Sequence, residues 1–289
     1  MEDIKIHAFT DEASEDIDSQ VKALKRNALM GIELRGTELG NVADLSFVAA
    51  CYISKKLRDS GASVWALGSP IGKISITDSF APHLEKLRNL LELCKVFGTK
   101  YVRIFSFYIP AGHDPSEYRG EVMDRLVKMA EMARPYGVTL CHENEKGIYG
   151  DNAERCLDIY KTIPDIKGIF DPANFVQCGV DTLKAWEALG GYIKYMHIKD
   201  ATSDGKVVPA GCGDANLEYI VSEFIKNGGR DFTIEPHLTV FKGLENLERK
   251  GDTKSQASEK YVYKNSDEAF DAACDAFKKL VKSLQEATV

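Results

Sequence analysis

At 289 residues, 44% hydrophobic and 28% charged, the chain is long enough to bury a large core, and an α/β barrel of this size is expected to form one domain over residues 1–289. A formal charge of −7 argues against a general nucleic-acid partner, and seven cysteines without a C-x-x-C pair read as reduced thiols of a cytoplasmic protein. No apolar signal core opens the chain, and no apolar run approaches the roughly 20 residues of a membrane span, so no membrane partner is expected.

Taken in order, Ile4–Ala8 reads as a first strand, followed by a helix over Ile17–Ala28 with Ile17, Val21, Leu24 and Ala28 at helical spacing. Gly31–Gly36 is the second strand and Asp44–Leu57 the next helix, stopped by Ser60-Gly61. Ser63–Gly68 is the third strand, Ala81–Phe97 a helix ending at Gly98, and Tyr101–Phe107 the fourth strand. A helix over Glu117–Arg134 stops at Pro135 and Gly137 and leads to the fifth strand, Val138–Glu143. The pattern continues with a helix at Ala153–Thr162, a strand at Ile166–Phe170, a helix at Leu183–Leu189 and a strand at Ile193–Ile198. It ends with a helix at Leu217–Lys226, the eighth strand at Asp231–Ile234 and a last helix at Asp267–Leu284. Strict alternation makes the strands parallel, and eight such units fit a single closed (β/α)8 TIM barrel. A doubly wound open sheet is the runner-up, but no Gly-rich dinucleotide fingerprint follows the first strand. The long connection Leu238–Ser266, rich in Lys, Glu, Gly and Ser, reads either as a lid or dimer contact or as a solvated insertion.

Barrel chemistry sits at the carboxyl ends of the strands. Four consecutive strands end in Glu143, Asp171, His197 and Glu235, with gaps of 28, 26 and 38 residues, each about one βα unit. Singly, each has an ordinary explanation: a loop carboxylate, a cap or turn before Pro172, a hydrogen-bonded core histidine, a strand-end charge before Pro236. Together they would place three carboxylates and an imidazole in one small space, which calls for a compensating cation. One divalent metal ion is therefore expected, and an oxygen-rich set with one nitrogen suits Mn²⁺, Mg²⁺, Co²⁺ or Zn²⁺.

Other polar residues near the rim are candidates for binding substrate. Glu33 and Arg35 end the second strand and could touch substrate or pair with each other. Lys73 follows a Ser-Pro-Ile-Gly turn and could hold a hydroxyl, carboxylate or phosphate. Lys199 and Asp200 extend the seventh strand and could orient ligands. His7 could wall the pocket and His237 contact it from the rim, whereas His142 should point away from Glu143 because side chains alternate. Gly211-Cys212-Gly213-Asp214 reads as a loop needing close backbone approach.

Glu143, Asp171-Pro172-Ala173-Asn174, His197-Ile198-Lys199-Asp200 and Glu235-Pro236-His237 together resemble the sugar phosphate isomerase/epimerase family, of the xylose-isomerase-like TIM-barrel superfamily. Asp11-Glu12-Ala13, Gly31–Arg35 and Pro209–Asp214 add to the likeness, which spans nearly the whole chain. The resemblance implies a divalent metal held by Glu143, Asp171, His197 and Glu235. It further implies that Glu143 and Glu235 are catalytic, moving a proton next to a sugar carbonyl through a metal-stabilised cis-enediolate. Two departures stand out. Asn174 occupies a position often held by histidine, and no arginine follows closely after His197, where Lys199 is the available cation.

The expected function is thus a metal-dependent isomerase or epimerase of a small sugar, ketose or polyol derivative, as a possible homodimer or higher homo-oligomer. The rival enzyme reading is a lyase or dehydratase of an inosose-type substrate. An endonuclease IV-like repair nuclease would want more strand-end histidines than six in all can supply, and a basic groove. A non-catalytic sugar-binding barrel is the remaining alternative.

Overall fold

The computed structural model describes residues 4–241, 244 and 256–286. Eight parallel strands close into a barrel: β1 (Lys5–Ala8), β2 (Gly31–Leu34), β3 (Val64–Leu67), β4 (Tyr101–Ile104), β5 (Thr139–Glu143), β6 (Lys167–Phe170), β7 (Ile193–Ile198) and β8 (Asp231–Ile234). Each strand pairs with its sequence neighbours, and β8 closes on β1 in the register Lys5↔Asp231 to Ala8↔Ile234. A TIM barrel, as the alternation required, is therefore the fold.

The surrounding helices are α1 (Ile17–Arg26), α2 (Phe47–Asp59), α3 (Phe80–Phe97), α4 (Arg119–Ala133), α5 (Ala153–Thr162), α6 (Pro172–Gln177), α7 (Thr182–Leu189), α8 (Leu217–Lys226) and α9 (Ser266–Glu286). Local chemistry sets their ends. The side chains of Asp16, Ser46 and Asn152 accept from Ser19 N, Ala49 N and Arg155 N, satisfying donors that a helix start leaves open. Gly98 takes φ 71° and ends α3, a conformation costly for other residues. The inward stripe of α3 buries Leu87, Leu90, Leu91 and Leu93 between barrel and neighbours, each worth roughly 2 kcal/mol of apolar transfer.

Three details differ from the sequence expectation. Strand β2 stops at Leu34 because the chain turns into a small hairpin, Gly36–Thr37 with Gly40–Asn41, closed by Val42 N donating to Arg35 O at 2.8 Å. Strand β4 stops at Ile104 rather than Phe107. Phe105 N and Phe107 N instead bond Ile71 O and Gly72 O in the β3–α3 loop, with Phe107 at φ 66°. The short α6, started by Pro172 and capped by Asp171, interrupts what read as loop.

The middle of the Leu238–Ser266 connection, 242–243 and 245–255, lies outside the described residues, and with it the lid or dimer-contact reading. Its last part is in view: Val207 N donates to Gln256 O and Ser258 N to Val207 O, adding the chain to the hairpin Asp200–Ala201/Val207–Val208 behind β7. Among the described residues, no helix is long and apolar enough to cross a membrane.

Candidate metal centre and active site

The carboxyl ends of β5, β6, β7 and β8 bring Glu143, Asp171, His197 and Glu235 together, each buried, with one donor atom apiece inside 4.8 Å of the others. His197 Nδ1 lies 2.9 Å from Glu143 Oε1 and 3.7 Å from Glu235 Oε2. Asp171 Oδ2 accepts no well-directed hydrogen bond, although Lys199 Nζ lies 2.9 Å away. A buried carboxylate oxygen aimed into an acidic cluster without such a bond is what a metal ligand looks like before loading. The set therefore fits a divalent cation.

The second atom of each residue is held by the protein. Arg103 Nη1 binds Glu143 Oε2 at 3.1 Å, and Arg35 Nη1 binds Glu235 Oε1 at 2.9 Å. Asn174 N donates to Asp171 Oδ1 at 2.9 Å, so Asp171 caps α6 with one oxygen and faces the cluster with the other. His197 Nε2 lies 3.2 Å from Glu33 Oε2. Asn144 fixes the spacing of β5 and β6: its Nδ2 donates to Asp171 O at 2.8 Å and its Oδ1 accepts from Asp171 N at 2.9 Å. Four donors converge because their far sides are tied down.

The xylose isomerase-like TIM-barrel family model matches residues 21–250. The chain belongs to this family. No curated protein matches it. Among solved structures, this xylose isomerase-like barrel is similar to L-ribulose 3-epimerase, with TM-score 0.75 and 19% identity over 100% of this chain and 97% of the other. It is also similar to the IolI protein with a bound zinc atom, at TM-score 0.73 and 16% identity over 97% and 99% of the two chains. The probable 3-DHS dehydratase AsbF of Bacillus anthracis gives TM-score 0.70 and 16% identity over 96% and 98%. At these identities the likeness is one of fold.

Electrostatics within the xylose isomerase-like site follow from the contacts. Burial pushes the Glu143 carboxyl up, but His197 and Arg103 outweigh it and hold it at about 2. Burial also opposes ionisation of Glu235, yet Lys199, His237, His197 and Arg35 hold it well below the usual range. Asp171 is pushed up to about 7 by burial, against the pull of Lys199. Burial alone would lower His197; Glu143 and Glu33 instead raise it to about 10. Without a metal the cluster is thus balanced by protons, by Arg103 and Arg35, and by Lys199, which also lies 3.2 Å from Glu235 Oε2.

The remaining predicted residues divide. Lys199 reaches the cluster as a direct partner of two of the four residues. Asn174 sits against it, Nδ2 donating to Asn144 O at 2.9 Å and lying 3.4 Å from Glu143 Oε1. Lys73 pairs with Glu145 at 2.9 Å and lies over the Phe105 ring, joining the β3 and β5 loops. His237, held at φ 45°, lies 3.3 Å from Glu12 and 3.6 Å from Glu235.

Three expectations need correction. Glu33 is fully buried and spends its oxygens on His197 and Tyr195, so it does not face substrate. Arg35 does not pair with Glu33; it binds Asp11 through two nitrogens, Glu12 at 3.0 Å and Glu235, and is 2% exposed. His7 does not wall the mouth: it lies 3.4 Å from Asp231, the first residue of β8, and stacks on Trp65 deeper in the barrel.

Arg103 is a part of the site that sequence reasoning missed, while Asp11 and Glu12 entered only through the family likeness and Asn144 without a specific role. Arg103 left a signal, a charge inside the apolar run Tyr101–Ile104. Glu12 left no sign of its role: a 3-10 turn after β1 carries it inward, where burial pushes its carboxyl up to about 8 against the pull of Arg35. Glu12, Glu235 and His237 also cluster, but the Arg35 guanidinium already supplies a cation there.

Proposed function

We propose that this protein is a divalent-metal-dependent isomerase or epimerase of a small sugar, a ketose or related polyol derivative. The observation that carries the reading is the convergence of Glu143, Asp171, His197 and Glu235 within 4.8 Å, at the end of the barrel where such folds place their chemistry. These four would hold one ion, with Mn²⁺, Mg²⁺, Co²⁺ and Zn²⁺ the candidates. The ion would supply Lewis-acid polarisation of a carbonyl and its neighbouring hydroxyl.

The chain's own groups would move the proton. Glu143 and Glu235 come from β5 and β8 and are both kept ionised by cations, so each is available as an acceptor. Arg103 holds Glu143 Oε2 through one lone pair and leaves another to accept a proton from the carbon beside the carbonyl. Glu235 would return a proton on the other face or to the neighbouring carbon. Lys199 and Asn174 would hold substrate oxygens, with Lys73 and His237 at the rim. Burial of all four candidate ligands keeps bulk water from competing for that proton. The seven unpaired cysteines accord with a reducing, cytoplasmic setting.

A second reading has a fold-level observation in its favour, since a probable dehydratase shares this barrel. The same proton removal followed by loss of a hydroxyl would make the enzyme a lyase. Metal-free protein should gain thermal stability from at least one of the four ions. The loaded enzyme should then put solvent deuterium into a ketose without losing water. Net dehydration of an inosose would select the lyase. No binding of any divalent ion would end both readings.

A further inference from the structure

Glu33 is a carboxylate in the wrong place for an ordinary core. It is fully buried on β2, one layer below the cluster, and the Cys141–Ile169–Tyr195 apolar group lies at the same depth. A charge there costs several kcal/mol unless its partners compensate it, and an apolar residue would fill the space without that cost. Its two oxygens have separate uses. Oε1 accepts from the Tyr195 hydroxyl at 2.9 Å, and Oε2 lies 3.2 Å from His197 Nε2. The His197 ring is fixed from the sides as well, with Phe9 edge-on at 5.1 Å and Tyr195 at 5.6 Å. Tyr195 and His197 are two residues apart on β7, so both side chains face the barrel interior and meet Glu33 together.

We infer that Glu33 is a positioning residue that keeps the proton of His197 on Nε2, so that the Nδ1 lone pair faces Glu143, Asp171 and Glu235, and that Tyr195 holds Glu33 in place for this purpose. The inference rests on the metal-centre reading above and specifies how that centre is built. Without a metal each ring nitrogen faces a carboxylate, Nδ1 at 2.9 Å from Glu143 and Nε2 at 3.2 Å from Glu33; once an ion takes the place of the Nδ1 proton, the one proton left is on Nε2 and Glu33 is its acceptor. Such a partner also makes the ligating nitrogen more basic, and losing one typically lowers metal affinity about 10–100-fold. The alternative is that Glu33 merely plugs the barrel. In that case the tautomer would be set elsewhere, and an isosteric amide would serve as well.

The test uses Co²⁺ as the probe on the full chain, with wild type, Glu33→Gln and Tyr195→Phe titrated to saturation. Affinity and the Co²⁺ ligand-field spectrum are the readouts. Wild type should bind Co²⁺, Glu33→Gln should bind about 10–100-fold more weakly with an altered spectrum, and Tyr195→Phe should fall between them. Ring nitrogen-15 NMR of Zn²⁺-loaded wild type should place the His197 proton on Nε2. The Nε2–H should also resonate downfield and exchange slowly, the mark of a carboxylate acceptor, and a free, fast-exchanging Nε2–H would overturn the inference even if Glu33→Gln does not fold. Wild-type affinity and spectrum in Glu33→Gln would overturn the inference while leaving the metal centre standing; a proton on Nδ1 of the loaded protein would take His197 out of the centre and overturn both. Failure of wild type itself to bind either ion would overturn both.

Discussion

Arg103 bears on both glutamates, at 3.1 Å from Glu143 and 3.6 Å from Glu235. Without a metal it is one of few groups balancing those buried charges. Arg103→Met should therefore destabilise the metal-free protein by about 3–5 kcal/mol, the usual result of leaving a buried ion unpaired. Saturating Mn²⁺ should recover part of the loss by supplying charge from the other side. Urea unfolding with and without Mn²⁺ checks this, and equal losses in both conditions would mean that the arginine acts through packing alone. Glu143→Gln has a less obvious outcome. A free glutamine could present its oxygen to an ion and lose only the ability to take a proton. Here the outer position faces Arg103, so the amide nitrogen must confront either the guanidinium or the ion. Turnover should vanish, and Mn²⁺ affinity should fall about tenfold or more, on the scale of losing an oriented ligand. Calorimetry beside the activity assay separates the two effects. Near-normal turnover would remove Glu143 from the proposed acid/base pair.

At the scale of elements, the barrel was legible because each strand is a short apolar run between a helix stop and a polar rim. The period of such runs does not depend on detail elsewhere. The ends of Glu143, Asp171, His197 and Glu235 were legible for the same reason: a strand that leaves the core with an ionisable residue places it at the mouth. What was not legible depends on how loops cross-link. Glu33 on β2 and Arg35 just past its end are two positions apart, so sequence places both inward, but only depth separates a partner of His197 from a partner of Asp11. The β3–α3 loop is a second case. Gly72 takes φ 95°, its N–H donates to His83 Nε2 at 2.7 Å, and a Cβ there would run into the Phe105 carbonyl. Phe107 N in turn donates to Gly72 O, so this glycine sets where β4 ends and where the neighbouring Lys73 sits. Gly72→Ala should cost about 3 kcal/mol, toward the upper end for forced overpacking, because the obstacle is backbone and the φ is strained as well. A shift in the urea midpoint of less than about 0.3 kcal/mol equivalent, well below that range, would show that the loop can move aside.

Across the whole molecule, the acidic centre ties folding to pH and to metal. Glu143, held at about 2, stabilises the fold fully above its ordinary value of 4.5, and that contribution is lost as pH falls from there towards 2. His197, raised to about 10, contributes fully below 6.5, and its share is lost as pH rises from 6.5 to 10. Glu12, pushed up to about 8 by burial, prefers its proton in the fold, so rising pH costs stability between 4.5 and 8. Asp171, pushed up to about 7, acts likewise between 3.8 and 7, so metal-free protein should lose thermal stability from about pH 4.5 upward, with His197 carrying the loss on towards 10. Metal binding runs the other way, because an ion on His197 Nδ1 displaces the proton there. Between pH 7 and 9 that is one proton released per ion, so the apparent Kd for Mn²⁺ should fall about tenfold per pH unit. Below 7 the slope should steepen as Asp171, raised to about 7, adds a second proton to be displaced. The thermal gain from a fixed Mn²⁺ concentration should accordingly grow from pH 6 to pH 9, following the free-energy term RT ln(1 + [L]/Kd). Calorimetric titrations in buffers of different ionisation enthalpy would count the protons directly. A Kd independent of pH would mean that His197 does not meet the ion, and the four-residue centre would have to be redrawn without it.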